Sequence, residues 1–128
     1  LREEIEFASA YIFLLKMRFE NNLQFDIQIA KSFEDYRLPP MAVQVLIENA
    51  VKHNEISDRK PLTIHIVTNN EGYLSVSNDI QPKRTAASGT GIGLVNLAKR
   101  YRLLFKQDIQ ITEDKEFSVC IPLIDEVQ

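Results

Sequence analysis

The run LPPMAVQVLIENAVKHN, residues 38–54, decides how this sequence folds. The proline pair Pro39-Pro40 suits a helix start, and the alanine, valine, leucine and isoleucine that follow predict a helix over 40–54. At about 100° per residue, Val43, Leu46, Ile47, Ala50 and Val51 form one apolar stripe. Asn49 and His53, four apart, share one edge of it beside Leu46, while Gln44 and Glu48 lie near the other edge and Lys52 points away. Glu48 and Lys52 could be a surface pair worth a few tenths of a kcal/mol. His53 could simply face the last helix carbonyls. Asn49 is the odd residue, a middling helix former whose amide at the rim of a core needs partners.

Outward from that helix the pattern is regular. Leu1, Ile5, Ala8, Ile12, Leu15 and Phe19 recur at steps of four and three, a heptad seam on a first helix. The seam suits either a dimerisation stem or the domain's own sheet, and Phe7, Tyr11 and Leu14 make a second apolar face. LQFDIQIA (23–30) alternates as a strand. LTIHIVT and YLSVSN alternate around NNEG, a hairpin signal. After the basic loop DIQPKRTAAS, GTGIGL opens a helix to Phe105 with Leu94, Leu97, Tyr101 and Leu104 on one face. DIQITEDKEFSVCIPL closes the chain as a second hairpin. The order αβαββαββ predicts an α+β two-layer sandwich, with helices on one face of a mixed, mostly antiparallel sheet.

Composition excludes several classes. The 128 residues suit one domain with one core. The 15 basic and 18 acidic residues leave a net charge of −3, which argues against non-specific binding to nucleic acid or an anionic membrane. One cysteine, Cys120, offers neither a disulfide framework nor a cysteine metal site, as in a reducing cytosol. No apolar run is long enough to span a bilayer. Because the chain opens on Leu1 already in a helical pattern, we expect it to be a piece of a longer protein.

Three of the four glycines fall at Gly89, Gly91 and Gly93, directly before a helix. Alternate glycines allow positive φ and a close approach of backbone N–H groups to a ligand, and the helix dipole adds to an anion site. A sharp corner needs the same residues. The pattern is neither the dinucleotide fingerprint nor a Walker loop, since Leu94 follows Gly93 and no Lys-Ser/Thr follows. Lys83 and Arg84 just before it are solvated or approach phosphate.

Taken together, LPPMAVQVLIENAVKH, SVSNDI and GIGLVNLAKRYRLLF, in that order, resemble the ATP-binding domain of LytS-type sensor histidine kinases. LREEIEFASAYIFLLKMRF resembles the segment that precedes it there. That domain has the Bergerat fold of the GHKL superfamily. The resemblance implies a lead-in helix over 1–20 from an upstream dimerisation and phosphoacceptor region, then a catalytic domain over 21–128. It implies ATP and Mg²⁺ as cofactors, with Asn49 as the metal ligand through its amide oxygen. Lys52 and His53 lie toward the phosphates; Gly89, Gly91 and Gly93 wrap them, and Leu94 fixes the helix against the sheet. The loop from Ile80 to Ser88 matches the ATP lid. The expected partners are the upstream phosphoacceptor helix of a homodimer and a response regulator, with no nucleic acid and no direct membrane contact. The expected place is the cytoplasmic side of a bacterial membrane sensor.

Two departures stand out. The aspartate that accepts the adenine amine in that family is Asn78 here, with Ile80 in place of the following glycine; Asp79 could substitute with a one-residue shift. Where superfamily ATPases carry a water-activating glutamate, four residues before the asparagine, this chain has Val45, and Glu48 is the remaining general-base candidate. Neither His53 nor His65 suits the phosphoacceptor, so that histidine is expected upstream of Leu1. The alternatives are a degenerate, non-catalytic GHKL interaction module and a serine kinase of the anti-sigma-factor kind. The LPP…ENAVKH entry and the amphipathic first helix speak against the latter.

Overall fold

The computed structural model describes residues 1–81 and 92–125. Helices α1 (Arg2–Phe19), α2 (Ala42–His53) and α3 (Ile92–Phe105) alternate with strands β1 (Leu23–Gln28), β2 (Leu62–Thr68), β3 (Tyr73–Asp79), β4 (Gln110–Glu113) and β5 (Glu116–Pro122). This is the expected αβαββαββ order. Short 3₁₀ turns, Glu20–Asn22 and Lys31–Phe33, flank β1. The strands form one sheet in the order β1-β2-β3-β5-β4. Among the described strands only β1 and β2 run parallel, as a connection through α2 allows. The other pairings are antiparallel.

Strand alternation sorts the two faces. Ile27, Ile66, Val76, Val119 and Ile111 are in register across the five strands on the helix side. Asp26, His65, Ser77, Ser118 and Thr112 form the neighbouring row on the open side. One row is apolar and the other polar, so helices cover a single face. That is the two-layer sandwich.

All three helices share one core. Ala8, Ile12 and Leu15 of α1 join Val43, Leu46, Ile47 and Ala50 of α2 and Leu97 and Tyr101 of α3 over Leu23, Leu62, Ile64, Ile66 and Leu74. The α1 seam therefore packs on the domain's own sheet and α2, and Phe7, Phe13, Leu14 and Met17 are left exposed on the opposite side. Tyr101 is fully buried with its hydroxyl donating to the Pro122 carbonyl at 2.9 Å. Removal from solvent pushes that phenol well above its ordinary value of 10.0, with a smaller contribution from the charge of Glu4.

Several details differ from the sequence reading. β1 ends at Gln28 rather than at residue 30. α2 begins at Ala42, because Met41 takes a left-handed φ of 65° and turns the chain after the prolines. That turn is fastened from both sides: Met41 N–H donates to Glu4 Oε1 at 3.0 Å, and Arg100 Nη1 donates to the Pro40 carbonyl at 2.6 Å. In α3, Leu104 is 61% exposed and Phe105 takes the inward place. The helix then stops at Lys106, which has φ 56°, and the Gln107 N–H returns to the Tyr101 carbonyl at 3.4 Å.

Candidate functional site

Because α2 buries Val43, Leu46, Ile47 and Ala50, the helix turns Val45, Glu48, Asn49, Lys52 and His53 toward its other side. There they line a cleft of about 90 Å³ whose facing wall is Ile92, Gly93 and Leu94, the first turn of α3. Residues some forty positions apart in sequence thus meet across one opening. Asn49 and His53 are half-buried and Lys52 is exposed.

A Cβ on Gly93 would stand 3.4 Å from Cγ1 of Val45, an ordinary van der Waals contact, so α3 lies beside α2 at this point. Val45 is thereby used in helix packing. Leu94, half-buried, packs on the core as expected. Glu48 serves two neighbours: its Oε1 accepts from Gln44 Nε2 at 3.2 Å, and its charge adds to the burial that raises the Tyr11 hydroxyl pKa.

Asn78 and Asp79 do not line this cleft. They end β3 and alternate across the sheet, so Asn78 lies on the helix side and is 1% exposed, while Asp79 is exposed on the open side. Of the two, Asn78 is the one on the side of Asn49. Its amide nitrogen donates to the Asp79 carbonyl at 2.7 Å, and its oxygen supplies an acceptor. Gly89 and Gly91 lie outside the described residues, as do Lys83 and Arg84.

Two residues that the sequence reading passed over join these halves. Asn54, buried at the end of α2, donates through Nδ2 to the Ala50 carbonyl at 2.8 Å and accepts the Gln81 N–H at Oδ1, also at 2.8 Å. The Gln81 side chain donates to the Glu55 carbonyl at 2.9 Å and to the Lys60 carbonyl at 3.2 Å. The Gln81 carbonyl in turn accepts the Glu55 N–H. No local sequence signal marks a polar pair separated by 27 positions.

His65 lies on the open sheet face, away from the cleft, with Nδ1 at 3.0 Å from Asp26 Oδ2. The Gln28 amide, and then His65, hold the Asp26 carboxyl below its usual range. Among the described residues no group of three or more His, Cys, Asp or Glu side chains is arranged to hold a metal. The cleft does contain one neutral oxygen donor, on Asn49. That suits a hard ion such as Mg²⁺, which keeps most of its ligands as water and phosphate oxygens.

Relatives match most of this chain. The LytS sensor protein of Streptococcus mutans is 35% identical over 130 residues, covering 89% of this chain and 22% of the relative. The LytS sensor protein of Staphylococcus epidermidis is 30% identical over 120 residues, covering 82% and 20%. The sensor histidine kinase BtsS of Escherichia coli is 29% identical over 115 residues, covering 88% and 20%. This chain is homologous to one segment of the LytS and BtsS sensor proteins. It spans about a fifth of the length of these LytS-type relatives. No protein-family model matches the chain. The LytS-type resemblance drawn from ENAVKH and GIGL therefore extends over most of the sequence. No helix among the described residues is long and apolar enough to cross a membrane.

Proposed function

We propose that this chain is the ATP-binding part of a two-component sensor histidine kinase. The supporting observation is the cleft that brings Asn49, Lys52 and His53 opposite the first turn of α3. In this reading the Asn49 oxygen holds Mg²⁺, Lys52 and His53 contribute charge and hydrogen bonds beside the phosphates, and the α3 N-terminus faces the anion. Mg²⁺, when bound, supplies charge neutralisation across the phosphate oxygens. Asn78 accepts from the base. Val45 stands where a water-activating carboxylate would otherwise be, so the arrangement favours transfer to a protein group over hydrolysis.

The transfer breaks the bond between the γ-phosphorus and its bridging oxygen, and ADP leaves with the electron pair. A histidine nitrogen forms the new P–N bond and gives up its ring proton. His65 is on the wrong face, paired with Asp26, and His53 belongs to the cleft wall. The acceptor is therefore a histidine outside this chain, and the phosphoryl group passes on to a response regulator. The full protein is a dimeric membrane sensor with this part in the cytoplasm.

A second reading has its own support. Asn78 replaces a charged acceptor with a neutral one, and a neutral hydrogen bond is the weaker kind. A decayed site retained as an interaction module would show the same change. Incubation with γ-labelled ATP and Mg²⁺ tests both readings. The kinase reading expects nucleotide to be retained on a filter with no covalent label on this chain; an acid-labile phosphohistidine here would contradict it. No retention at millimolar ATP would favour the decayed module.

A further inference from the structure

The proposed site has two halves on separate elements: Asn49, Lys52 and His53 on α2, and Asn78 near the end of β3. Asn54 follows the first group by one residue, and Gln81 follows Asn78 by three. A buried asparagine at a helix end is ordinarily a cap, and the bond from Nδ2 to the Ala50 carbonyl is that. A cap does not need the other end of the amide. Here Oδ1 reaches across to the Gln81 N–H at 2.8 Å, and the Gln81 side chain and carbonyl close three more bonds on Glu55 and Lys60. Backbone outside the regular sheet and helix ladders is thus tied by four hydrogen bonds at one point, with Asn54 6% exposed.

We infer that Asn54 and Gln81 are positioning residues that hold the base half of the nucleotide site in register with its phosphate half. The inference rests on the ATP reading above and adds to it. A ligand that touches both halves senses the clamp, and a ligand that touches only the phosphate half does not. Neither residue touches the nucleotide.

Calorimetric titration of Mg-ATP and of Mg-tripolyphosphate separates these cases. Replacing Asn54 by leucine removes the bond to Gln81, and a buried bond of this kind corresponds to roughly tenfold in affinity. Asn54→Leu is expected to weaken Mg-ATP by about that factor and to leave Mg-tripolyphosphate within about twofold. Asn54→Asp keeps the acceptor but turns a carboxylate toward the Ala50 carbonyl. It should melt at a lower temperature than the parent and yet hold Mg-ATP within about threefold, which a purely structural role would not produce. If Asn54→Leu does not fold, Gln81→Met removes only the two side-chain bonds and carries the same comparison. Equal losses for both ligands, or none for Mg-ATP, would overturn the clamp while leaving the ATP reading intact. A parent protein that binds neither ligand would overturn both.

Discussion

At the scale of single residues, burial decides which groups titrate and which cannot. Tyr101 has no exposed surface, and its phenol is held protonated in the folded state well above 10.0. The unfolded chain releases that proton near 10.0, so above this pH the folded state binds more protons and loses stability as pH rises. The slope from this group approaches about 1.4 kcal/mol per pH unit. Urea denaturation between pH 8 and 11 should show Tyr101→Phe less stable by about 1 kcal/mol at the neutral end, from the lost bond to Pro122. The gap should close and then reverse as the solution becomes alkaline; a constant gap would refute the account of this group. The residue scale is also where sequence reading was weakest. Asn49 was legible because an amide inside an apolar helix is locally anomalous. Asn54 and Gln81 were not, because each is unremarkable until the fold brings them together.

At the scale of elements, α1 offers the clearest contrast. It carries apolar residues on two opposite faces, and sequence alone left open which one is covered. The structure buries Ile12 and leaves Leu14 63% exposed, two residues along the same helix. Ile12→Ala should cost about 2–5 kcal/mol through lost burial and a residual cavity. Leu14→Gln should change stability by no more than about 0.5 kcal/mol. Thermal melts of the two variants decide this, and equal losses would mean that the outer face is also packed. β2 was legible to the residue because period-two alternation runs from Leu62 to Ile66 and β-branched residues continue the strand to Thr68. The start of α2 was not. Proline favours a first helical turn, but Glu4 and Arg100, which are remote in sequence, fix the Pro39-Pro40-Met41 turn instead. In α3 a true 3.6-residue period carries the inward face from Tyr101 to Phe105, where a step of three had pointed to Leu104.

At the scale of the whole molecule, one sheet with one covered face places the ends of α2 and β3 and the beginning of α3 together. The layer order followed from alternation and periodicity, which is why it could be read in advance. The partnership between Asn49 and the start of α3 could not be read from spacing; it came from the likeness of several ordered motifs to the LytS-type family, and the cleft brings those residues together. Titration calorimetry of Mg-ATP into the parent chain and into Asn49→Ala tests whether the cleft beside Asn49 holds the nucleotide. The parent is expected to bind saturably and only with magnesium, and Asn49→Ala to lose that binding, with the melting temperature of the unliganded protein unchanged. Binding of equal strength by the two proteins, with and without magnesium, would contradict this expectation.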